Sequence, residues 1–123
     1  MIKVIIIDDV DLYRQSLANW LTLNGIEVQE TFTHAWFIHY ETLKILPDVA
    51  IVSLNNISDA KPAIDFLRKY YPSIKILVNS MHNYLNLTDE KMGLPAVDGL
   101  VYKLDDNQYK IIDAIKVLSE SKD

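Results

Sequence analysis

The sequence predicts an open, doubly wound α/β domain in which five parallel strands are covered by helices on both faces. Short apolar runs without polar alternation recur along the chain, and such runs are typical of strands buried on both sides of a sheet. They alternate with segments of helical apolar spacing, which indicates βαβ units with right-handed crossovers. The chain has 123 residues, of which 50% are apolar and 24% charged, and this suffices for one core. We therefore expect a single domain over residues 1–123, layered as α/β/α.

The first strand and helix can be placed from the residues at their ends. Residues 4–7 form a β-branched run that stops at Asp8 and Asp9, so this acid pair lies at the carboxyl end of the first strand. A helical pattern begins at Asp11, and the Asn24-Gly25 pair supplies a stop signal. The residues expected on the inward stripe of this helix are Leu12, Ser16, Leu17, Trp20 and Leu21.

The central strand follows a second predicted helix. Residues 26–32 give a short strand, and residues 35–46 carry apolar side chains at roughly helical spacing. Pro47 ends that pattern, and residues 49–52 form an unbroken apolar run that opens into polar residues at Ser53. Because ligands of parallel sheets bind beyond the carboxyl ends of the strands, we expect any site near Ser53.

The second half of the chain repeats the alternation of helix and strand. A loop over residues 57–61 precedes a helix that Pro62 can initiate, since a first-turn proline gives up no needed hydrogen bond. The predicted core residues of that helix are Ile64, Leu67 and Tyr71. A strand over residues 74–78 and a helix over residues 84–92 follow.

The last strand and helix complete the pattern. Residues 100–102 form the fifth strand, which ends at Lys103, and residues 107–119 form the final helix. The inward side chains of this helix are expected to be Ile111, Ile112, Ile115 and Leu118.

The composition excludes several classes of function. A net charge of -5 and a pI near 5.1 argue against direct nucleic-acid binding by this domain, because phosphate contacts need clustered Lys and Arg. The absence of cysteine excludes disulfides, thiolate metal sites and thiol catalysis. No signal peptide or membrane-spanning run is apparent, so we expect a cytoplasmic protein without a membrane contact.

In the flavodoxin-like strand order 2-1-3-4-5, the first and third strands are neighbours. That order brings Asp8, Asp9 and Ser53 to one edge of the sheet, where Ser80 and Lys103 end the fourth and fifth strands. Adjacent carboxylates suit a hard cation such as Mg²⁺. Taken singly, each residue has a structural explanation: the acids can cap the first helix, Ser80 can satisfy local backbone, and Lys103 can be a surface cation. The set, with a polar group at each of these strand ends, favours a site.

These motifs resemble the receiver domain of bacterial two-component response regulators, and the resemblance runs along the whole chain. Residues 74–82 are similar to the fourth strand of regulators that carry a helix-turn-helix output domain, with Ser80 at the hydroxyl position. The other similar segments are residues 5–9, 11–14, 47–52 and 97–103, the last ending at the family's lysine position, Lys103.

The resemblance implies phosphoryl transfer from a histidine kinase to an aspartate, with Mg²⁺ held by Asp8, Asp9 and the backbone carbonyl of Asn55. The acceptor aspartate is replaced here by Ser53. Leu100 replaces the aromatic residue that is common at the family's switch position. The resemblance is therefore complete for the fold and interrupted at the chemistry.

Three expectations follow from this interruption. A serine hydroxyl needs a neighbouring general base to act as a nucleophile, and no histidine is placed by the sequence to activate Ser53. Losing a carboxylate should make Mg²⁺ binding weak or absent, since a charge pair about 4 Å apart is worth on the order of 4 kcal/mol near a protein surface. Lys103, with no phosphate to contact, is expected to form a permanent ion pair with Asp8 or Asp9.

The sequence therefore favours a degenerate receiver that is not an enzyme and that binds a protein partner or a second copy of itself. The expected surface comprises residues 84–92, 100–102 and 107–119. Two alternatives stay open. One is a receiver that is still phosphorylated on a neighbouring carboxylate, and the candidates are Asp8, Asp9 and Asp59. The other is a haloacid-dehalogenase-like phosphohydrolase, because Asp9-Val10-Asp11 mimics its acidic motif. The sequence leaves the presence of a DNA-binding output domain undecided.

Overall fold

The computed structural model describes residues 1–38, 43–55, 57–81 and 96–120, and it describes the side chains of these residues except those of 57–59. Five parallel strands form one sheet in the order β2-β1-β3-β4-β5, which confirms the predicted topology. The strands are β1 Lys3–Ile7, β2 Glu27–Phe32, β3 Val49–Leu54, β4 Lys75–Ser80 and β5 Gly99–Tyr102. The α-helices are α1 Asp11–Leu23, α2 Ile57–Tyr70 and α3 Lys110–Glu120.

The three central strands are buried on both faces, as their unbroken apolar runs predicted. Alternate residues of each strand enter opposite cores because successive side chains of a strand point to opposite faces. One core lies under α2 and includes Ile5, Ala50 and Ile76. The other lies under α1 and α3 and includes Ile6 and Ile51. The sheet is therefore rigid where β1, β3 and β4 deliver polar residues to its carboxyl edge.

Helix α1 begins and ends where the sequence indicated. The Asn24 N–H donates to the carbonyls of Trp20 and Leu21, and Gly25 has a φ of 83°, a left-handed conformation that glycine adopts without strain. The predicted inward stripe was wrong at Leu12, which is 78% exposed, and at Ser16, which is also exposed. Leu12 lies roughly 140° around the helix from buried Leu17, which places it toward solvent.

The second predicted helix is not an α-helix in its described parts. Ala35–Phe37 form a single 3-10 turn, and residues 43–48 are not helical. Ala35, Ile38 and Leu43 are nevertheless buried, so their spacing reflects a connection packed on the α2 face of the sheet. Apolar spacing alone did not distinguish this arrangement from a helix.

Two helix starts also differ from the prediction. Helix α2 begins at Ile57, so Pro62 lies inside it and the helix forgoes the hydrogen bond that the proline nitrogen cannot donate. Helix α3 begins at Lys110, because Asn107 forms a capping turn in which its Oδ1 accepts the N–H of Tyr109. Its predicted inward residues Ile111, Ile112 and Ile115 are buried, and Leu118 packs against the same core.

The helix predicted over residues 84–92 lies outside the described residues. None of the helices in the described ranges is long and apolar enough to cross a membrane.

Candidate functional site

The strand ends form a polar cluster at the carboxyl edge of the sheet. Asp8 is 2% exposed and follows β1, while Ser53 and Ser80 are buried within β3 and β4. The β-strands extend one or two residues further than the sequence indicated, because Ser53 and Ser80 still pair in the ladder, with Asn79 and Leu54 respectively. The predicted site residues of β1, β3 and β4 thus lie on adjacent, hydrogen-bonded strands.

A buried ion pair joins the residue that follows β5 to the residue that follows β1. The Lys103 Nζ lies 2.9 Å from Asp8 Oδ2, and the two side chains are only 2% and 1% exposed. The same ammonium donates to Asn55 Oδ1 at 2.9 Å and lies 4.1 Å from the centre of the Tyr13 ring. A desolvated ammonium is costly unless its protons are satisfied, and here carboxylate, amide oxygen and aromatic face surround it. The ion pair expected for Lys103 is therefore present, and its partner is Asp8.

The Asn55 side chain bridges the two acids. Its Nδ2 donates to Asp9 Oδ1 at 2.7 Å and to Asp8 Oδ1 at 3.3 Å, while Asp8 Oδ1 also accepts the Val10 N–H at 2.9 Å. The resemblance implied a role only for the Asn55 backbone carbonyl, as a ligand of Mg²⁺, so the bridging side-chain amide was not predicted. We name the group formed by Asp8, Asp9, Asn55, Lys103 and Tyr13 the ion-pair cluster.

The ion-pair cluster does not fit the Mg²⁺ ion that the resemblance implies. Magnesium needs several oxygen ligands in octahedral geometry. Here an ammonium is bound to Asp8, amide hydrogens point at both carboxylates, and the third acidic position is Ser53. Among the described residues, no three Asp, Glu, His or Cys side chains are grouped as metal ligands. Lys103 therefore neutralises Asp8 with a tethered cation in the place of a metal ion.

Ser53 lines a small, partly open cavity at this edge of the sheet. The cavity has a volume of about 20 Å³ and is lined in part by Asp9, His34, Trp36 and Ser53. That volume corresponds to about one water molecule. The Ser53 Oγ is buried and has no hydrogen-bond partner among the described residues, so it is available to such a water.

His34 lines the Ser53 cavity, although the sequence placed no histidine near Ser53. Its ring stacks on Trp36, with centroids 4.4 Å apart and planes 18° from parallel. Because Ser53 Oγ bonds to nothing among the described residues, His34 does not form the hydrogen bond that a general base would need. No sequence pattern indicated the 3-10 turn at Ala35–Phe37, which brings His34 to the edge of the sheet.

Two further residues of this edge were missed by the sequence analysis. Asn79 is 2% exposed, and its Nδ2 donates to the hydroxyl of Tyr13 at 2.8 Å. Asn79 directly follows the apolar run of residues 74–78, and a polar residue that extends a buried strand needs a buried partner. Leu100, the predicted switch position, is 42% exposed on β5.

We expect Tyr13 to make the domain sensitive to alkali. Burial raises the pKa of the Tyr13 phenol above its ordinary value of 10.0, and the Asp8 carboxylate raises it further, against the hydrogen bond from Asn79. Between pH 10 and the folded-state pKa, only the unfolded chain releases this proton. The stabilisation is thus present below pH 10 and is lost as the pH rises, by at most about 1.4 kcal/mol per pH unit.

Urea unfolding at several values between about pH 9 and 11 tests this dependence by linear extrapolation. Tyr13→Phe should flatten the loss of stability relative to the native chain. Tyr109→Phe is the matched control because Tyr109 is 53% exposed, and it should keep the native slope. Equal slopes in all three proteins would contradict the prediction.

Comparison with solved structures identifies the fold. The chain matches RcsB from Salmonella enterica serovar Typhimurium, bound to promoter rprA with phosphomimetic BeF3-, at a TM-score of 0.75 and 21% identity over 98% of this chain and 100% of that chain. It matches the signal receiver domain of NarL from Mycobacterium tuberculosis at 0.72 and 20% identity, with 98% of each chain covered. A LuxR-family DNA-binding response regulator from Staphylococcus aureus gives 0.73 and 18%, over 98% of this chain and 100% of that one.

The present chain covers only 62% of the length of the RcsB chain in a second Salmonella typhimurium structure. No protein-family model and no curated protein sequence matches this chain. The structural neighbours are response regulators, one of them described as a signal receiver domain, and the present chain has the same flavodoxin-like fold. The predicted receiver fold is confirmed.

Proposed function

We propose that this domain is a degenerate receiver, which does not catalyse phosphoryl transfer and acts by binding another protein or a second copy of itself. The observation that carries the proposal is the buried Lys103–Asp8 ion pair next to a serine at the phosphoacceptor position. In this arrangement the cation that would contact a phosphoryl group is already bound to protein oxygens at 2.9 Å.

The chemistry at Ser53 supports this reading. A carboxylate is an anion at neutral pH, whereas the Ser53 hydroxyl would need a base, and it has no hydrogen-bond partner among the described residues. The cavity of about 20 Å³ beside it is large enough for one water, which can hydrogen-bond the Ser53 hydroxyl.

The charges of the cluster support a domain held in one state. Phosphorylation switches act by adding charge that biases an element with two arrangements. In this chain Asp8 supplies a permanent negative charge to Lys103, and both side chains are almost fully excluded from water. The ion-pair cluster thus holds the ends of β1, β3 and β5 together without a modification.

The proposed binding surface is the one formed by residues 84–92, 100–102 and 107–119, of which the first range lies outside the described residues. On the described part, Leu100, Tyr109 and Val117 are 42%, 53% and 65% exposed. Exposed apolar and aromatic side chains are a feature of protein interfaces. A histidine kinase or another component of a response-regulator pathway is the class of partner that the fold neighbours suggest.

Some of the structural neighbours are described as DNA-bound or DNA-binding. One RcsB structure is described as bound to promoter DNA, and the Staphylococcus aureus neighbour as DNA-binding. If this chain belongs to a longer regulator, we propose that DNA contacts are made by a separate output domain, because the net charge of -5 disfavours them here.

Neither alternative function gains support from the described contacts. Asp8 is bound to Lys103, and Asp9 accepts a hydrogen bond from Asn55, so neither is a free acceptor for a phosphoryl group. The side chain of Asp59 lies outside the described residues. For a phosphohydrolase, the second acid of the motif would be Asp11, which instead pairs with Arg14 at 2.8 Å.

Intact-mass measurement after incubation with acetyl phosphate and Mg²⁺ tests the proposal. We expect the native chain to gain no phosphoryl group and the Ser53→Asp variant to gain one, because the variant restores an anionic nucleophile and a third acidic ligand. The variant is the positive control for reagent and fold.

Labelling of the native chain would overturn the proposal. A label lost on hydroxylamine treatment would identify an acyl phosphate on a substitute carboxylate. A label that survives would identify a phosphate ester, and Ser53→Ala would then show whether Ser53 carries it.

A further inference from the structure

A second cavity, larger than the Ser53 cavity, lies between α1, the ends of β4 and β5, and the start of α3. Tyr13 and Lys103 of the ion-pair cluster line it. Its volume is about 410 Å³, within the range of roughly 300 to 1,000 Å³ that is typical of small-molecule sites. Buried Leu17, Asn79 and Ile111 line it, and exposed Ser16 and Gln108 line it as well. It therefore has a buried floor and an exposed rim.

Apolar and aromatic side chains form much of the wall of this cavity, and polar side chains such as Asn79 and Gln108 form the rest. Trp20, Tyr102 and the Tyr13 ring line it, together with Leu17 and other aliphatic side chains. Trp20 also contacts Tyr109, with ring centroids 5.5 Å apart, and this contact braces α1 against the start of α3. Flat aromatic walls favour a flat, ring-shaped occupant, because such surfaces stack with offset or tilted geometry.

The charges that line the cavity are paired. Lys103 is bound to Asp8, and Lys110 lies 2.9 Å from Asp105. An anionic or cationic occupant would have to compete with these carboxylates or ammonium groups. The electrostatics of the cavity thus favour an uncharged ligand.

One polar group of the wall, the hydroxyl of half-buried Tyr13, points to the kind of atom the ligand carries. The Tyr13 hydroxyl accepts a hydrogen bond from Asn79 at 2.8 Å, but its own proton has no acceptor among the described residues. A hydroxyl in an apolar wall gains from an acceptor oxygen on the occupant. A carbonyl oxygen meets this need without adding charge.

We infer that the cavity between α1, β5 and α3 is a binding site for an uncharged aromatic small molecule with a carbonyl group, which accepts a hydrogen bond from Tyr13. The inference does not depend on the proposed function. Because Tyr13 also lies under the Lys103 ammonium, at 4.1 Å, the occupant would share a wall with the ion-pair cluster.

Prodan, an uncharged naphthalene that carries a carbonyl group and whose emission shifts to the blue on leaving water, is a suitable probe. We expect saturable binding with a blue shift. Trp20 provides a second signal: in a Trp36→Phe background it is the only tryptophan, and its emission should fall by energy transfer to bound prodan.

Two matched α1 variants locate the probe. Ser16 and Asn19 are both exposed polar residues of this helix, but only Ser16 lines the cavity. Ser16→Phe should weaken prodan binding by about tenfold or more, because the new ring occupies the cavity, whereas Asn19→Phe should bind like the native chain. Tyr13→Phe keeps the ring and removes the donor, and it should weaken binding by about fivefold, the worth of one net hydrogen bond.

Absence of saturable binding up to the solubility of prodan would overturn the inference, as would equal affinities for Ser16→Phe and Asn19→Phe variants that circular dichroism shows to be folded. These results are separate from the acetyl phosphate experiment. A labelled native chain that still binds prodan would defeat only the degenerate-receiver proposal, and an unlabelled chain that does not bind prodan would defeat only the cavity.

Discussion

Lys103→Met is expected to lower the free energy of unfolding by about 3 to 5 kcal/mol, a large fraction of the roughly 5 to 15 kcal/mol that stabilises a typical domain. The substitution keeps most of the apolar stem and removes the charge. Asp8 would then retain a carboxylate that is 1% exposed, with hydrogen bonds from Val10 and Asn55 but no counter-ion. Urea unfolding followed by circular dichroism measures the loss by linear extrapolation.

The control is the same substitution at an exposed ion pair of similar length. Lys61 lies 2.8 Å from Asp65 in α2, but their side chains are 52% and 51% exposed. Water already solvates both charges, so Lys61→Met should cost less than about 1 kcal/mol. If Lys103→Met cost no more than Lys61→Met, the ion-pair cluster would not be the stabilising element that its burial implies.

The sheet was predictable because its signals are local and repeated. Each of the three central strands is a run of apolar residues closed by polar ones, and the pattern around residues 4–7, 49–52 and 74–78 requires two covered faces. Given the strand order, proximity of Asp8 to Ser53 followed without any knowledge of side-chain geometry, since residues after neighbouring parallel strands meet at one edge. The Lys103 ion pair followed from the resemblance, which places this lysine beside the acid pair with no phosphoryl group to contact.

The contacts that were missed depend on tertiary packing. Apolar spacing over residues 35–46 predicted a helix, yet a 3-10 turn and the connection after it bury Ala35, Ile38 and Leu43. The same turn carries His34 to the Ser53 cavity. Tyr13 was not singled out, and the predicted inward stripe of α1 did not include it. Its pairing with Asn79 required knowing that the Tyr13 side chain reaches the end of β4. A sequence pattern specifies which faces are buried but not which polar atoms meet there.

Removing both charges together should restore much of the stability that Lys103→Met loses. In the Asp8→Asn/Lys103→Met variant, the new amide oxygen still accepts the Val10 N–H, and no carboxylate is left uncompensated. Breaking one side of a buried pair leaves a buried charge, whereas replacing both partners with neutral groups is often close to neutral. We expect the double variant to be about 2 kcal/mol more stable than Lys103→Met, as measured by the same urea titration.

This comparison separates the effect of an unpaired buried charge from the effect of lost packing around the lysine stem. A double variant with recovered stability would show that the fold does not need the two charges. Asp8→Asn alone is the third corner of the cycle and reports the cost of an unpaired Lys103 ammonium. If the double variant were as unstable as Lys103→Met, the loss would instead come from packing around the lysine stem, and an unpaired charge would not be its cause.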